Sequence, residues 1–199
     1  MEIDLRIYDV DPDYRWNWLQ FVAARGGAGR DLGRFISFRD DATFVTLRGF
    51  RDAAERAAFV ETSDGAPSDL RKLTVHTLTP SFGSTITDFD GFARMQALPV
   101  LELRRYRIAA GQRERFARFF HDRTLAAQAE RGIEVVGQFD DRDDANLLVW
   151  FRGFSDLTER DRRKASFYQS AYWLEELQDE AFAMIEDYSN VILMSPVRE

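Results

Sequence analysis

The second half of the chain begins with alternating apolar and polar residues and then changes to a helical pattern. Residues 100–108, VLELRRYRI, alternate as a half-buried β-strand does. The residues from about 113 to 131 predict a helix, which Gly132 ends. Two shorter strands, at about 133–139 and 146–151, enclose an aspartate-rich turn. This pattern predicts a β-hairpin after the helix.

A second helical region follows the hairpin. Ser155, Asp156 and Glu159 suit the start of a helix, because such side chains bind the free amide groups of a first helical turn. The helical pattern continues with one break to about residue 187, and a last strand is predicted at 191–194. The order β-α-β-β-α-β is typical of the ferredoxin-like unit, an antiparallel sheet with both helices on one face.

The first half of the chain repeats this order. Residues 3–8, IDLRIY, correspond to residues 101–106, LELRRY. Likewise, RDDATFVTLRGF at 39–50 returns as RDDANLLVWFRGF at 142–154, with one extra residue. Similarity that keeps its order over two separate segments indicates an internal duplication.

The duplication suggests how the chain is divided. We place a diverged first repeat at 1–87, a linker at 88–99 and the second repeat at 100–199. The first repeat has a shorter first helix, interrupted at 25–30, and a second helix broken at 62–69. Glycine and proline punctuate the linker, which has no counterpart inside either repeat.

Two ferredoxin-like units in one chain predict an α+β barrel. Helices cover only one face of each sheet, so the other face needs a second sheet against it. We therefore expect two antiparallel sheets packed as an intramolecular barrel. On the first strand of each repeat, the apolar residues are expected to meet the helices and the polar residues to face the lumen or an edge; the apolar set is Ile3, Leu5, Leu101 and Leu103.

The polar residues of these two strands are the first candidates for chemistry. Carboxylates, guanidinium groups and phenols in a partly apolar cavity have shifted pKa values and can move protons to or from a bound enol or phenol. The alternative is that the charges simply pair across the barrel while the tyrosines pack. The candidate catalytic residues are Asp4, Arg6, Tyr8, Glu102, Arg104 and Tyr106.

A second group of residues is predicted to contact a ligand. Trp150 can stack on a flat aromatic molecule, although an aromatic residue on a central strand also suits a core. Its neighbours at alternate positions share its face, and two aromatic residues of the last helical region are placed to close one end of the cavity. The candidate ligand-binding residues are Trp150, Arg152, Arg48, Phe44, Leu148, Tyr172 and Trp173.

Few residues are available for a metal or a prosthetic group. The chain has no cysteine and two histidines, which excludes thiolate sites and a histidine-built zinc site. His121 is expected on the surface, and His76 on the flank of a weak helix. The clustered aspartates near residues 40 and 140 lack the ligand spacing of a calcium loop and suit hairpin turns instead. We expect no metal and no cofactor.

The second repeat resembles the NIPSNAP family of the dimeric α+β barrel superfamily. The resemblance covers residues 100–196 and rests on the E-L-R-x-Y strand at 102–106, on D-L-x-E-R at 156–160, and on Trp173. The first copy, at 2–87, looks like a diverged unit of the same type. This resemblance implies the barrel fold, and together with free sheet edges it suggests a homodimer.

Composition narrows the partners. The formal charge of −7 argues against nucleic acid and against an anionic membrane surface. The N-terminal MEIDLRIYDV lacks the basic start and the apolar run of a signal peptide, so a cytoplasmic protein is expected.

The expected function follows from the chemistry that remains. We expect a cofactor-independent enzyme that cyclises, isomerises or oxygenates a small aromatic or polyketide-like metabolite of natural-product biosynthesis, held in the barrel cavity. The alternative is a non-catalytic barrel that binds a ligand or a protein partner.

Overall fold

Strands and helices alternate along the chain in the order that the duplication predicts. The computed structural model describes residues 1–24, 28–40, 42–62 and 69–197. The strands are β1 (Glu2–Val10), β2 (Arg30–Ser37), β3 (Thr43–Phe50), β4 (Leu70–Pro80), β5 (Val100–Ile108), β6 (Glu134–Asp141), β7 (Leu147–Phe154) and β8 (Ile185–Pro196). The α-helices are α1 (Arg15–Ala24), α2 (Ala53–Thr62), α3 (Ala93–Ala97), α4 (Arg113–Phe119), α5 (Leu125–Glu130), α6 (Leu157–Tyr168) and α7 (Gln178–Met184).

The eight strands of the described chain form one closed antiparallel barrel in the order β1-β3-β2-β8-β5-β7-β6-β4. The first repeat contributes β4-β1-β3-β2, and the second contributes β8-β5-β7-β6, each in the ferredoxin-like order. The two sheets join where β2 pairs with β8 and where β4 pairs with β6. The predicted fold, a duplicated ferredoxin-like unit closed into an α+β barrel, is confirmed.

The strand register repeats between the halves. Asp4 of β1 lies opposite Arg48 of β3, and Glu102 of β5 lies opposite Arg152 of β7. Directly paired residues of an antiparallel pair point to the same face of the sheet. The candidate residues of the two first strands therefore do share a face with those of the hairpin strands, as the sequence predicts.

The prediction of which face lies inside the barrel is wrong. Ile3, Leu5, Leu101 and Leu103 are fully buried inside the barrel, in one apolar cluster to which all eight strands contribute. The polar set lies on the outer face, under the helices. The apolar core between the two sheets is shut off from water, so it takes the aliphatic residues, whereas the charged groups of the polar set pair with one another beneath the helices.

The interior is packed with side chains at one end. Phe92, Met95 and Leu98, from the segment between β4 and β5, are buried against the apolar cluster. This segment crosses over Gly153, where an added Cβ would lie 2.2 Å from Cδ1 of Leu98, and over Gly49, which Phe89 approaches in the same way. The glycine of each RGF motif thus makes room for the crossing segment.

Three local predictions change with the structure. The final strand begins at Ile185 rather than 191, because β8 pairs along the full length of β5. His76 lies in β4, not on a helix. The expected free sheet edges are shortened, because β2 pairs with β8 over Phe35–Ser37 and β4 pairs with β6 over Leu78–Pro80.

Other local predictions are confirmed. The side chain of Asp156 caps α6 by accepting the amide of Glu159 at 2.7 Å, and Gly132 follows α5 with a φ of 71°. His121 is on the surface, with 42% of its side chain exposed. The helix breaks predicted at 25–30 and 62–69 fall largely outside the described residues.

No helix in the described ranges combines the length and the apolar character needed to cross a membrane.

Candidate functional site

The second repeat holds a cavity of about 380 Å³ between the outer face of its sheet and its helices. β5 and β7 form the floor, and α4 to α7 form the roof. Ten of the seventeen lining residues are aromatic. They are Tyr106, Phe116, Phe119, Phe120, Trp150, Phe167, Tyr168, Trp173, Phe182 and Tyr188.

Two π-helical turns shape the roof. Phe120–Thr124 joins α4 to α5, and Tyr172–Leu177 precedes α7. The wider turn of a π-helix shifts side chains away from their α-helical positions, and such turns occur often at functional sites. Here they bring Phe120, Thr124 and Trp173 to the cavity wall.

Glu102 lies at the centre of a buried cluster of charges at the cavity floor. Its Oε2 lies 2.6 Å from Nη2 of Arg152, and its Oε1 accepts a 2.6 Å hydrogen bond from Nε of Arg160. Nε of Arg104 lies 3.4 Å from this carboxylate, and Nζ of Lys164 lies 3.6 Å from it. Within the described chain, four cations surround this one carboxylate, so the cluster has an excess of positive charge.

The charge of Glu102 is fixed by these neighbours. Burial opposes its ionisation, but the four surrounding cations outweigh burial and lower the pKa of the carboxyl from 4.5 to about 2. Glu102 therefore stays ionised at neutral pH and is a poor proton donor or acceptor for catalysis.

Two tyrosine hydroxyls meet at Arg104. Nη1 of Arg104 donates to the hydroxyl of Tyr106 at 2.6 Å and to that of Tyr168 at 3.3 Å. Nη1 of Arg152 donates to Tyr168 at 3.2 Å. Tyr168 thus accepts hydrogen bonds from two guanidinium groups, whereas Tyr106 accepts one.

The pKa values of the two phenols shift in opposite directions. Burial raises the pKa of Tyr106, and the nearby Arg104 offsets this only in part. Burial also acts on Tyr168, but the charges and hydrogen bonds of Arg152 and Arg104 outweigh it and lower the pKa of Tyr168 below its ordinary value. Tyr106 is therefore held protonated, and Tyr168 ionises more readily, which suits an acid and a base.

Some polar groups of the wall have no partner within the protein. Oγ1 of Thr124 and Nε1 of Trp150 are buried and make no hydrogen bond in the described structure. Both residues line the cavity. The wall of the cavity therefore contains two buried polar groups whose desolvation no hydrogen bond offsets.

The first repeat carries a smaller version of the charge cluster. Asp4, the counterpart of Glu102, pairs with Arg6 at 2.6 Å and with Arg56 at 3.0 Å. The space beside them measures only about 10 Å³. The duplication therefore preserves the charges of the site in both repeats, while a cavity of ligand size is found in the second.

Trp18 of α1 packs against the counterpart of a cavity residue. Its side chain is fully buried, with its ring centre 5.3 Å from that of Tyr8. Tyr8 corresponds to Tyr106, whose side chain faces the cavity in the second repeat.

Residues 101–197 match the family model of NIPSNAP. These residues form a NIPSNAP domain. No curated protein matches the chain.

The fold is similar to those of several solved structures. A protein of Lactobacillus acidophilus NCFM with the provisional name monooxygenase is 13% identical and covers 99% of this chain and 94% of its own, with a TM-score of 0.64. Another protein of that name, from Fusobacterium nucleatum, is 10% identical and covers 99% of this chain and 92% of its own, with a TM-score of 0.65. The protein TA0507, provisionally named a chlorite dismutase, is 11% identical and covers 100% of this chain and 96% of its own, with a TM-score of 0.58. At such identities the similarity shows the fold alone.

The NIPSNAP domain brings most of its own candidate residues together. Arg104, Tyr106, Trp150 and Trp173 line the cavity, while Glu102 and Arg152 support its floor from behind. Leu148 packs in the apolar core between sheet and helices. Tyr172 is 38% exposed and does not line the cavity. Their catalytic and binding roles remain predictions.

The candidates of the first repeat belong to a separate place. They lie under the helices of their own half. The sequence-based hypothesis placed them in one enclosed space with the candidates of the NIPSNAP domain, and the structure separates the two groups. Arg48 packs over Phe59 at 4.8 Å, and Phe44 belongs to the apolar cluster around Trp18. The residues concerned are Asp4, Arg6, Tyr8, Phe44 and Arg48.

Sequence reasoning missed Tyr168 and Lys164. Tyr168 accepts hydrogen bonds from both arginines of the floor, Arg104 and Arg152. The available signal was the spacing of Arg160, Lys164 and Tyr168, because residues four apart share one face of a helix. All three of these side chains contact the Glu102 cluster or its arginines.

The described residues contain no group of three or more histidine or acidic side chains arranged to hold a metal ion. The aspartates near residue 140 instead stabilise a turn, where Oδ1 of Asp141 accepts the amides of Asp143 and Asp144.

Proposed function

We propose that the NIPSNAP domain is a cofactor-independent enzyme that removes and returns protons on a small, enolisable aromatic or polyketide-like metabolite. The site is the cavity between sheet and helices, not the interior of the barrel. The observation that carries the proposal is the meeting of Tyr106 and Tyr168, with opposite pKa shifts, at Arg104.

The cavity suits such a molecule in size and lining. About 380 Å³ is within the range of small-molecule sites. Trp150 is packed in the wall, with Tyr106 and Phe120 edge-on to it at 5.5 and 4.8 Å, and the ten aromatic side chains of the lining together present a mainly aromatic surface to a ring.

The charges of the site suit an anion that forms during the reaction. Arg104 and Lys164 both line the cavity, and Glu102 is shared among four cations. An enolate or phenolate beside Arg104 would therefore be stabilised electrostatically. The ionised phenol of Tyr168 would take the proton from carbon, and the protonated phenol of Tyr106 would return one.

The enolate has three possible fates: it can be reprotonated elsewhere to give an isomer, close a ring onto a carbonyl, or react with molecular oxygen. The provisional name monooxygenase of two proteins with this fold supports the last, by analogy. The acid–base step is common to all three.

Product formation tests the proposal. Intermediates of aromatic polyketide pathways are incubated with the purified chain and analysed by mass spectrometry. We expect conversion by the wild type and a loss of about a hundredfold or more in Tyr168→Phe and Tyr106→Phe. Conversion at the wild-type rate by both variants would contradict the assignment.

A non-catalytic binder is the second candidate. It is favoured by the mostly aromatic lining and by the full engagement of Glu102 in ion pairs. A ligand bound with defined stoichiometry and recovered unchanged would support it.

A further inference from the structure

The open end of the barrel contains a group of charged residues that the proposed function does not use. Arg105 follows Leu101 and Leu103 at alternate positions of β5, so it points into the barrel beyond the apolar core. His76 of β4 lies beside it, with Nε2 3.5 Å from Nη1 of Arg105. Nδ1 of His76 lies 2.6 Å from Oδ2 of the buried Asp141.

Arg105 forms no ion pair with any acidic side chain in the described part of the chain. Its Nε is buried without a hydrogen-bond partner. Burial lowers the pKa of its guanidinium, with no neighbouring carboxylate to offset this. A half-buried cation left in this way is costly for the protein alone, which points to a partner that the chain does not supply.

Two cavities meet at Arg105, and their charges differ. The smaller, of about 300 Å³, is lined by Asp141, Asp143 and Asp144, which disfavour an anion. Among the described residues that line the larger cavity, of about 540 Å³, Asp9 and Asp40 are balanced in number by Arg39 and Lys72. Arg105 is then the excess charge of the larger cavity, and an anion is favoured there.

The lining of the larger cavity defines the rest of the ligand. Beside the charged groups it carries a set of aliphatic and aromatic side chains, which would cover an apolar body. These are Ile7, Phe38, Leu157, Val191, Ile192 and Leu193.

We propose that the open end of the barrel is a second binding site, which takes a small organic acid with its carboxylate on Arg105 and its apolar body in the larger cavity. His76 and Asp141 support Arg105 from the other side. The site is separate from the cavity under the helices, and its ligand need not be the substrate of that cavity.

The two histidines of the chain make the site observable by NMR. His76 lies next to Arg105, while His121 is exposed on a helix and serves as an internal control. Imidazole signals are assigned with His121→Gln and followed during titration with hexanoate, 1-hexanol and inorganic phosphate. Hexanol lacks the charge of the proposed ligand, and phosphate lacks its apolar body.

We expect hexanoate to shift the His76 signals saturably while His121 stays unchanged. Arg105→Gln is expected to weaken hexanoate binding by at least about tenfold, because a charge-assisted hydrogen bond is lost. The control Arg115→Gln, which removes the same charge from the surface of α4, is expected to bind as the wild type does.

Three results would overturn the proposal: equal binding of hexanoate and hexanol, tighter binding of phosphate than of hexanoate, or unchanged binding in Arg105→Gln. The comparison of the three probes uses the wild type alone, so it decides the matter even if Arg105→Gln does not fold.

Discussion

Glu102 and Arg152 face each other across β5 and β7 with Oε2 and Nη2 2.6 Å apart, and neither side chain has any exposed surface. A buried pair of this kind adds little stability compared with apolar residues, but removing one partner leaves a charge without compensation. The floor of the cavity therefore depends on Glu102 more than on any one of the cations around it.

Replacing this carboxylate should destabilise the fold. Glu102→Gln leaves its four cations without a counter-charge, and we expect a loss of about 3–5 kcal/mol in the free energy of unfolding at pH 7. Asp4→Asn is the matched control and should lose less, because Asp4 pairs with two arginines. Urea unfolding measures both. A loss in Glu102→Gln no larger than that in Asp4→Asn would contradict the prediction.

The same ion pairs predict a dependence of stability on pH. The pKa of Glu102 falls from 4.5 to about 2 on folding, so its contribution is complete above pH 4.5 and is lost as the pH falls towards 2. This shift corresponds to roughly 3 kcal/mol. The difference in unfolding free energy between wild type and Glu102→Gln should narrow by about that amount from pH 5 to pH 2; a constant difference would argue against it.

Trp18 is predicted to be the reason that the first repeat has no ligand-sized cavity between its sheet and its helices. Trp18→Ala should destabilise the chain by about 3–5 kcal/mol and leave an apolar space that binds indole. Trp16→Ala is the control, because Trp16 is 64% exposed on the same helix. Thermal unfolding with and without indole measures both effects. If added indole fails to raise the Tm of Trp18→Ala selectively, the space has collapsed and the explanation does not hold.

The segment between the repeats is predicted to be coupled to the RGF glycine. Gly153→Ala places a Cβ against Leu98 and should cost about 1–3 kcal/mol. In Leu98→Ala the obstructing side chain is gone, so adding Gly153→Ala should cost much less. A double-mutant cycle with a coupling energy above about 0.5 kcal/mol supports this packing; additive losses would speak against it.

The fold could be read from the sequence because its signals are local and occur twice. The strand of LELRRY and the hairpin around RDD fix which residues share a face, and the register of Glu102 with Arg152 confirms it. The alternation could not tell which face lies inside the barrel. Both faces of these sheets are covered, and all eight positions of β7 are buried, so burial gives no contrast between them.

Only the part of the candidate site that lies on neighbouring strands could be predicted from the sequence. Arg104, Tyr106 and Trp150 were found because they lie on one strand pair. Tyr168 comes from a helix that reaches the floor only in the folded chain, and the π-helical turns that bring Thr124 and Trp173 to the cavity have no pattern in the sequence. The excess of positive charge around Glu102 likewise arises from packing between elements.

Proton exchange on carbon tests the central claim most directly. In D₂O, the purified chain should accelerate deuterium uptake at C1 of 2-tetralone, a small enolisable aromatic ketone, as followed by NMR. The rate should rise with pH through an inflection below the ordinary tyrosine pKa near 10, because the pKa of Tyr168 is lowered. Tyr168→Phe should lose about a hundredfold or more of the acceleration, while Tyr172→Phe, an exposed tyrosine outside the cavity lining, should keep it. Wild-type acceleration in Tyr168→Phe, or none in the wild type, would contradict the account.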